Sequence, residues 1–358
     1  MPFDDRNFPA AAAGAPDAAL RNRRLVATWL FSVCAMIWVM IALGGATRLT
    51  GSGLSIMEWA PLSGTLPPLS EAEWQRLYGL YQQIPQYELL NKGFGIDGFK
   101  QIFWLEWTHR LWGRLIGVVF LLPLIVLAVR GAIGRHLVPR LALLFALGGL
   151  QGAVGWFMVA SGFFPDSTTV SPYRLVVHLT LALVLYVAIL WTGLSVLRPV
   201  RVLSGTPGLR RLVKLSVVLV SLTILAGGFV AGLRAGLDYN TFPLMDGRLV
   251  PEGYARLVPF LRNLTENVAA VQFDHRLLAT VTALVALATL AAGLRARVTG
   301  LALGALLALG VAVAAQYALG VATLLLVVPP ALGTAHQAVA VLVLTAAIVS
   351  LHALRRVS

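Results

Sequence analysis

Long, unbroken apolar runs divide this chain, and they lie at about 25–45, 108–130, 138–160, 173–196, 211–232, 269–293, 299–327 and 332–354. Each is long enough for the roughly 20 residues that a helix needs to cross a bilayer. The runs are continuous rather than alternating, which excludes a β-barrel. They predict an all-α polytopic membrane protein of eight transmembrane helices. A different period appears between the first two runs. Ser70 with Glu73 forms a capping box, and Trp74, Leu77, Tyr78 and Tyr81 follow at helical spacing before Pro85. That pattern predicts a short amphipathic helix at the membrane surface.

Composition agrees with burial in lipid: 58% of the 358 residues are hydrophobic and 12% charged. The net charge of +13 would suggest nucleic acid in a soluble protein. Here topology accounts for it, and no nucleic-acid partner is expected. Arg21, Arg23 and Arg24 precede the first run, and Arg130, Arg135 and Arg140 lie between the second and third. Arg198, Arg201, Arg210, Arg211 and Lys214 separate the fourth from the fifth, Arg295 and Arg297 the sixth from the seventh, and Arg355 and Arg356 follow the eighth. All of these fall on one side, which the positive-inside rule makes cytoplasmic, together with both termini. The long loops 46–107 and 233–268 then lie on the outer side. Cys34, the one cysteine, allows no internal disulfide. Residues 1–24 are expected to form a disordered tail.

The chain repeats itself. "ALGGATRLTGSGLS" (42–55) parallels "LAGGFVAGLRAGLD" (225–238), and "THRL" (108–111) parallels "DHRL" (274–277). "GGLQGAVG" (148–155) parallels "AAQYALGV" (314–321), and "VVHLTLAL" (176–183) parallels "TAHQAVAV" (334–341). Four matches in one order predict two pseudo-symmetric four-helix bundles related by an axis along the membrane normal. The first comprises residues 25–197, the second 211–358, with an inner linker at 198–210.

The repeat brings out four histidines: His109, His178, His275 and His336 each stand near the outer start of an even-numbered span. A lone histidine in a membrane helix is more often a hydrogen-bonded interior residue than a ligand. Four at equivalent positions and one depth point instead to a site. Two pairs in separate bundles suit two haems, each iron held by two imidazoles, better than one zinc ion. One turn further in stand Gly113, Ala182, Ala279 and Ala340, small enough for a flat macrocycle to lie over them. Arg110 and Arg276 directly follow two of the histidines and are candidates for the haem propionates; interfacial arginines reaching headgroups are an equal alternative. His136 and His352 have no repeat partner and receive no role. Each helix carries one ligand, so this layout does not stack haems across the membrane as a transmembrane electron relay would.

"GGATRLTGSGLSIMEW" (44–59), "FWLEWTHRLWGRLIG" (103–117), "SPYRLVVHL" (171–179), "AGLRAGLDYNTFPLM" (231–245) and "QFDHRLLA" (272–279) resemble haem A synthase of the proteobacterial and mitochondrial branch, over nearly the whole chain after residue 25. The resemblance implies oxidation of the C8 methyl of haem O to the formyl group of haem A for cytochrome oxidase assembly. It implies that His109 and His178 ligate the substrate haem, that His275 and His336 ligate a retained haem b, and that Glu58 lies near the reacting edge. It further implies a bacterial inner membrane with the haem sites toward the periplasm. Haem O synthase and oxidase assembly factors are the expected partners; the electron acceptor is left open by the sequence, with quinone as one candidate. With both axial positions of the iron filled, water is the expected oxygen source and Glu58 the expected proton acceptor. The outer loops carry no cysteine, which excludes a thiol relay. A di-haem quinol-oxidising electron carrier is the alternative. A transporter is disfavoured by the lack of charges at mid-membrane.

Overall fold

The computed structural model describes residues 15–165, 167–198 and 205–355. Ten α-helices appear in it: α1 (Ala15–Leu49), α2 (Glu71–Tyr81), α3 (Gly95–Val129), α4 (Leu137–Val159), α5 (Pro172–Leu197), α6 (Pro207–Gly232), α7 (Asn263–Glu266), α8 (Val268–Arg295), α9 (Gly300–Leu325) and α10 (Pro330–Ala353). All but α2 and α7 are long and apolar enough to cross a membrane, eight in number. The chain is therefore a multi-pass membrane protein. Apolar side chains such as Leu115, Val118, Leu122, Ile125 and Val129 remain exposed along α3, as a lipid-facing stripe requires.

Two boundaries differ from expectation. α1 starts at Ala15, so residues 15–24 of the expected tail are helical; residues 1–14 lie outside the described residues. Alanine, leucine and arginine are good helix formers, and a helix can continue past the membrane edge on propensity alone. α3 starts at Gly95, well before the apolar run, and buries Phe99, Ile102, Phe103 and Glu106 in its outer extension. Of the expected inner linker, residues 199–204 lie outside the described residues, and Pro207 opens α6.

The predicted surface helix is present as α2. Ser70 Oγ accepts the Glu73 N–H at 3.2 Å, and Trp74, Leu77 and Tyr81 are its buried side chains. They join Leu54, Ile56, Ile84, Phe99, Ile102 and Phe103 in one apolar cluster that fastens α2 to the outer end of α3. Trp74 packs edge-on against both Phe99 and Phe103.

Among the spans, α1 neighbours α3 and α5, and α4 neighbours α3 and α5, closing a ring in the first half of the chain. In the second half α6 neighbours α8 and α10, and α9 neighbours α8 and α10, in the same order. The halves meet where α1 packs on α10 and α5 on α6. Glycine makes both approaches close. A Cβ on Gly45 would stand 2.7 Å from Gln337 Oε1 on α10, and one on Gly228 would stand 3.0 Å from Val176 Cγ2 on α5. Trp38 Nε1 donates to Ala338 O at 2.9 Å, and the Tyr186 and Thr345 hydroxyls bond at 2.7 Å, further tying the halves.

Candidate functional site

Each of the four histidines stands against a glycine of the neighbouring odd-numbered span. A Cβ on Gly155 would lie 2.8 Å from His178 Cε1, one on Gly227 3.0 Å from His275 Cε1, and one on Gly320 2.8 Å from His336 Cε1. At Gly44 the nearest atom is His109 Nε2, at 3.2 Å. Gly44 and Gly227 are the first glycines of the two "GG" doublets, whose second members admit the other half. Gly155 ends the matched segment in span 3, and Gly320 stands one residue before the end of its counterpart in span 7. The repeat therefore contains the glycine seats as well as the histidines.

The pair in the second half has ring centroids 6.5 Å apart, with planes at 89°. Two imidazole nitrogens at about 2 Å from one metal put the ring centroids roughly 6 Å apart. The two rings thus stand at the separation that one iron between them requires. In the first half, His109 lies within electrostatic reach of His178. No group of three or more His, Cys, Asp or Glu among the described residues is arranged to hold a metal ion. Gly113, Ala182, Ala279 and Ala340 are all half-buried, one turn inward of the histidines.

The groups around the rings include unsatisfied ones. His275 Nδ1 lies 3.1 Å from Thr223 O, which as its acceptor would fix the tautomer with Nε2 open to a ligand. Gln151 Nε2 lies 3.1 Å from His178 Nδ1 and donates to His178 O at 3.0 Å, and Gln316 Nε2 lies 3.5 Å from His336 Nε2. Gln151 Oε1, Gln316 Oε1 and His336 Nδ1 are buried without a hydrogen-bond partner. Buried polar atoms are seldom left so unless another group completes the site. Paired imidazoles, small residues beneath them and orphaned polar atoms beside them fit a haem. Sequence reading missed both glutamines, although each stands four residues before its seat glycine in the matched segments.

Arg110 and Arg276 each hold an outer loop, and Arg276 Nε is left buried without a hydrogen-bond partner. Arg110 pairs with Glu106 at 2.6 Å and donates to Ile56 O at 2.8 Å and Glu58 O at 2.7 Å. Glu106 Oε2 in turn accepts from Ser55 N, Ser55 Oγ and Ile56 N, at 2.7, 2.7 and 3.0 Å. In the second half, Arg276 donates to Gln272 Oε1 at 2.8 Å, Tyr239 O at 2.6 Å and Thr241 O at 2.9 Å. Gln272 Nε2 donates to Ala235 O and Asp238 O. Both halves thus build one clamp: an arginine after the histidine, an acceptor four residues before that arginine, and two alternate carbonyls of the outer loop. Arg114 extends the first clamp to Ala60 O and Pro61 O, at 2.8 and 2.9 Å. Gly51 and Arg234 mark the corresponding loop entries, both in the left-handed region with φ of 70° and 54°.

Glu58 lies in the clamped segment. Its backbone carbonyl goes to Arg110, while its carboxylate accepts a fork from Arg76 of α2, at 3.0 and 2.8 Å. The side chain is 45% exposed. The Arg76 hydrogen bonds hold its carboxyl below the usual range, with a smaller opposing effect of burial.

The family of cytochrome oxidase assembly proteins matches residues 27–348. The Heme A synthase of Granulibacter bethesdensis is 69% identical over 336 residues, covering 94% of this chain and 88% of its own. That of Azorhizobium caulinodans is 50% identical over 341 residues, covering 95% and 96%. That of Nitrosospira multiformis is 47% identical over 343 residues, again covering 95% and 96%.

Proposed function

Because the chain belongs to the cytochrome oxidase assembly protein family, with Heme A synthases similar to it over nearly their whole length, we propose that it makes haem A from haem O for cytochrome oxidase. The single observation that carries the site is the repeated histidine–glycine pairing, with His275 and His336 at the spacing of two ligands to one metal. His109 and His178 would hold haem O, and His275 and His336 a retained haem b. The alternative of a quinol-oxidising carrier finds no support among these relatives.

The reaction proposed is oxidation of the C8 methyl to a formyl group: water contributes the oxygen, and electrons and protons leave. A bound haem supplies redox reach across its macrocycle. What the chain supplies is position. His109 and His178 would hold the substrate haem by its iron. Glycines at 44 and 155 let His109 and His178 approach from opposite walls of their half, while the Arg110 clamp fixes the loop that carries Glu58. The Glu58 carboxylate is ionised at neutral pH and able to take a proton at Oε1 or Oε2, but only as Arg76 lets go of it. A quinone in the bilayer is the proposed electron acceptor, and haem O synthase the proposed source of substrate. The basic inner loops support cytoplasmic termini and haem sites toward the periplasm.

The pigment of the purified chain tests this. Haem b with haem O or haem A is expected, and His275→Ala or His336→Ala should each remove haem b while leaving helix content intact. A colourless wild-type protein, or haem b unchanged in both variants, would overturn the assignment. Oxygen-18 appearing in the formyl group from labelled dioxygen rather than labelled water would overturn the proposed chemistry.

A further inference from the structure

Haem carries two propionates, and the two arginines best placed by sequence to meet them are committed to loop carbonyls. Arg114 is committed likewise. Arg48, near the outer end of α1, is different. It is half-buried and donates one hydrogen bond, from Nη1 to Ala231 O at 2.9 Å. No carboxylate among the described residues pairs with it, and seven glutamates of the outer region, Glu58 and Glu106 among them, pair with other cations. A second cation, Arg234, lies near enough for the two charges to repel. Two neighbouring guanidinium groups without an anion are unfavourable as they stand, and the remaining N–H donors of Arg48 have no acceptor among the described residues.

Their place is informative. Arg48 is one helical turn outward of Gly44, the glycine against which His109 rests, and on the same face of α1. Its one acceptor, Ala231, is one turn outward of Gly227, the glycine against which His275 rests. Arg48 therefore stands just outside the histidine level, its side chain reaching from α1 to the outer end of α6. A haem held between His109 and His178 with its propionate edge outward would bring carboxylates to this spot. Resting on that reading of the histidines, we propose that Arg48, supported by Arg234, is the carboxylate seat for the propionates of the substrate haem. Arg110 and Arg276 then shape the outer loops and do not bind haem. A guanidinium–carboxylate fork in a partly dry site is worth about tenfold or more in affinity. A lipid phosphate is the other anion such a seat could take, and the experiment separates the two.

The full-length protein, as purified in detergent, is titrated with haem O and with haem O dimethyl ester, following the low-spin absorption band and the haem retained after gel filtration. The wild type should bind the free acid about tenfold or more tighter than the ester. Arg48→Gln should bring the acid down to the ester's affinity and leave the ester within about twofold, with Arg234→Gln causing a smaller loss and Arg48→Lys keeping part of the preference. Equal binding of acid and ester by the wild type overturns the proposal without any variant, and is the result a lipid-phosphate seat would give. Equal weakening of both ligands by Arg48→Gln also overturns it, leaving Arg48 as a tie between helices. Absence of a low-spin band with either ligand overturns the histidine reading itself, an outcome distinct from the other two.

Discussion

At Gly155 and Gly320 an added Cβ would come within 2.8 Å of a histidine ring, closer than side chains approach one another. The atom that would have to give way is part of an imidazole wedged between helices, so the ring must swing out of its seat. Gly320→Val should therefore abolish binding of the haem held by His336 while leaving the other haem, and haem content by pyridine haemochrome measures it. Retention of both haems would show the seats to be incidental packing. The Glu58–Arg76 fork makes a second prediction at this scale. Its folded carboxyl is depressed, so the tie contributes above the ordinary carboxylate value of about 4.3 and is lost as pH falls through the depressed one. Trp59 fluorescence should report release of the segment in acid, and Arg76→Gln should move that transition up in pH. The histidines were legible because an ionisable group at four repeat-equivalent positions is conspicuous in apolar sequence. The glycine seats were not, since glycine is common in membrane helices and only a neighbour's coordinates show what it makes room for.

The helices show where hydropathy alone runs out. It placed the start of α3 at the apolar run because Asp97, Lys100, Gln101 and Glu106 depress the mean upstream. Yet Phe99, Ile102, Phe103 and Glu106 recur at helical spacing and are the buried face of the extension. The carboxylate among them anchors the loop that returns from α1. Its counterpart in the second half is an amide, Gln272, which donates to two carbonyls where Glu106 accepts from two backbone amides and a hydroxyl. The two clamps share a geometry with opposite hydrogen-bond polarity, so they are not interchangeable. Glu106→Gln should leave three donors poorly satisfied and Arg110 without its counter-charge, a cost on the order of 3 kcal/mol. Faster hydrogen exchange and proteolysis confined to residues 52–61 would be the measure; unchanged protection would show that Arg110 holds the segment by its carbonyl contacts alone.

For the whole molecule, the spacing of apolar runs carried the eight spans, because lipid permits so few ways to satisfy a backbone. Cys34 is buried and the chain has no other cysteine, so topology can be mapped without background labelling. Leu62, 86% exposed in the first outer loop, should as Leu62→Cys react with a membrane-impermeant thiol reagent in intact cells. Thr299→Cys, between α8 and α9, should react only in inverted vesicles. The reverse pattern would turn the assigned orientation over.

The two glycine doublets have a consequence for the chain as a continuous thread. Gly45 admits Gln337, the residue after His336, and Gly228 admits Val176, two residues before His178. Each half thus reaches into the other beside its own ligand, in the manner of a handshake. A polypeptide so arranged has little need of its covalent join. Severed near residue 204 and produced as two separate pieces in one cell, it should find its own complement in the bilayer and regain colour, while either fragment made alone should stay pale.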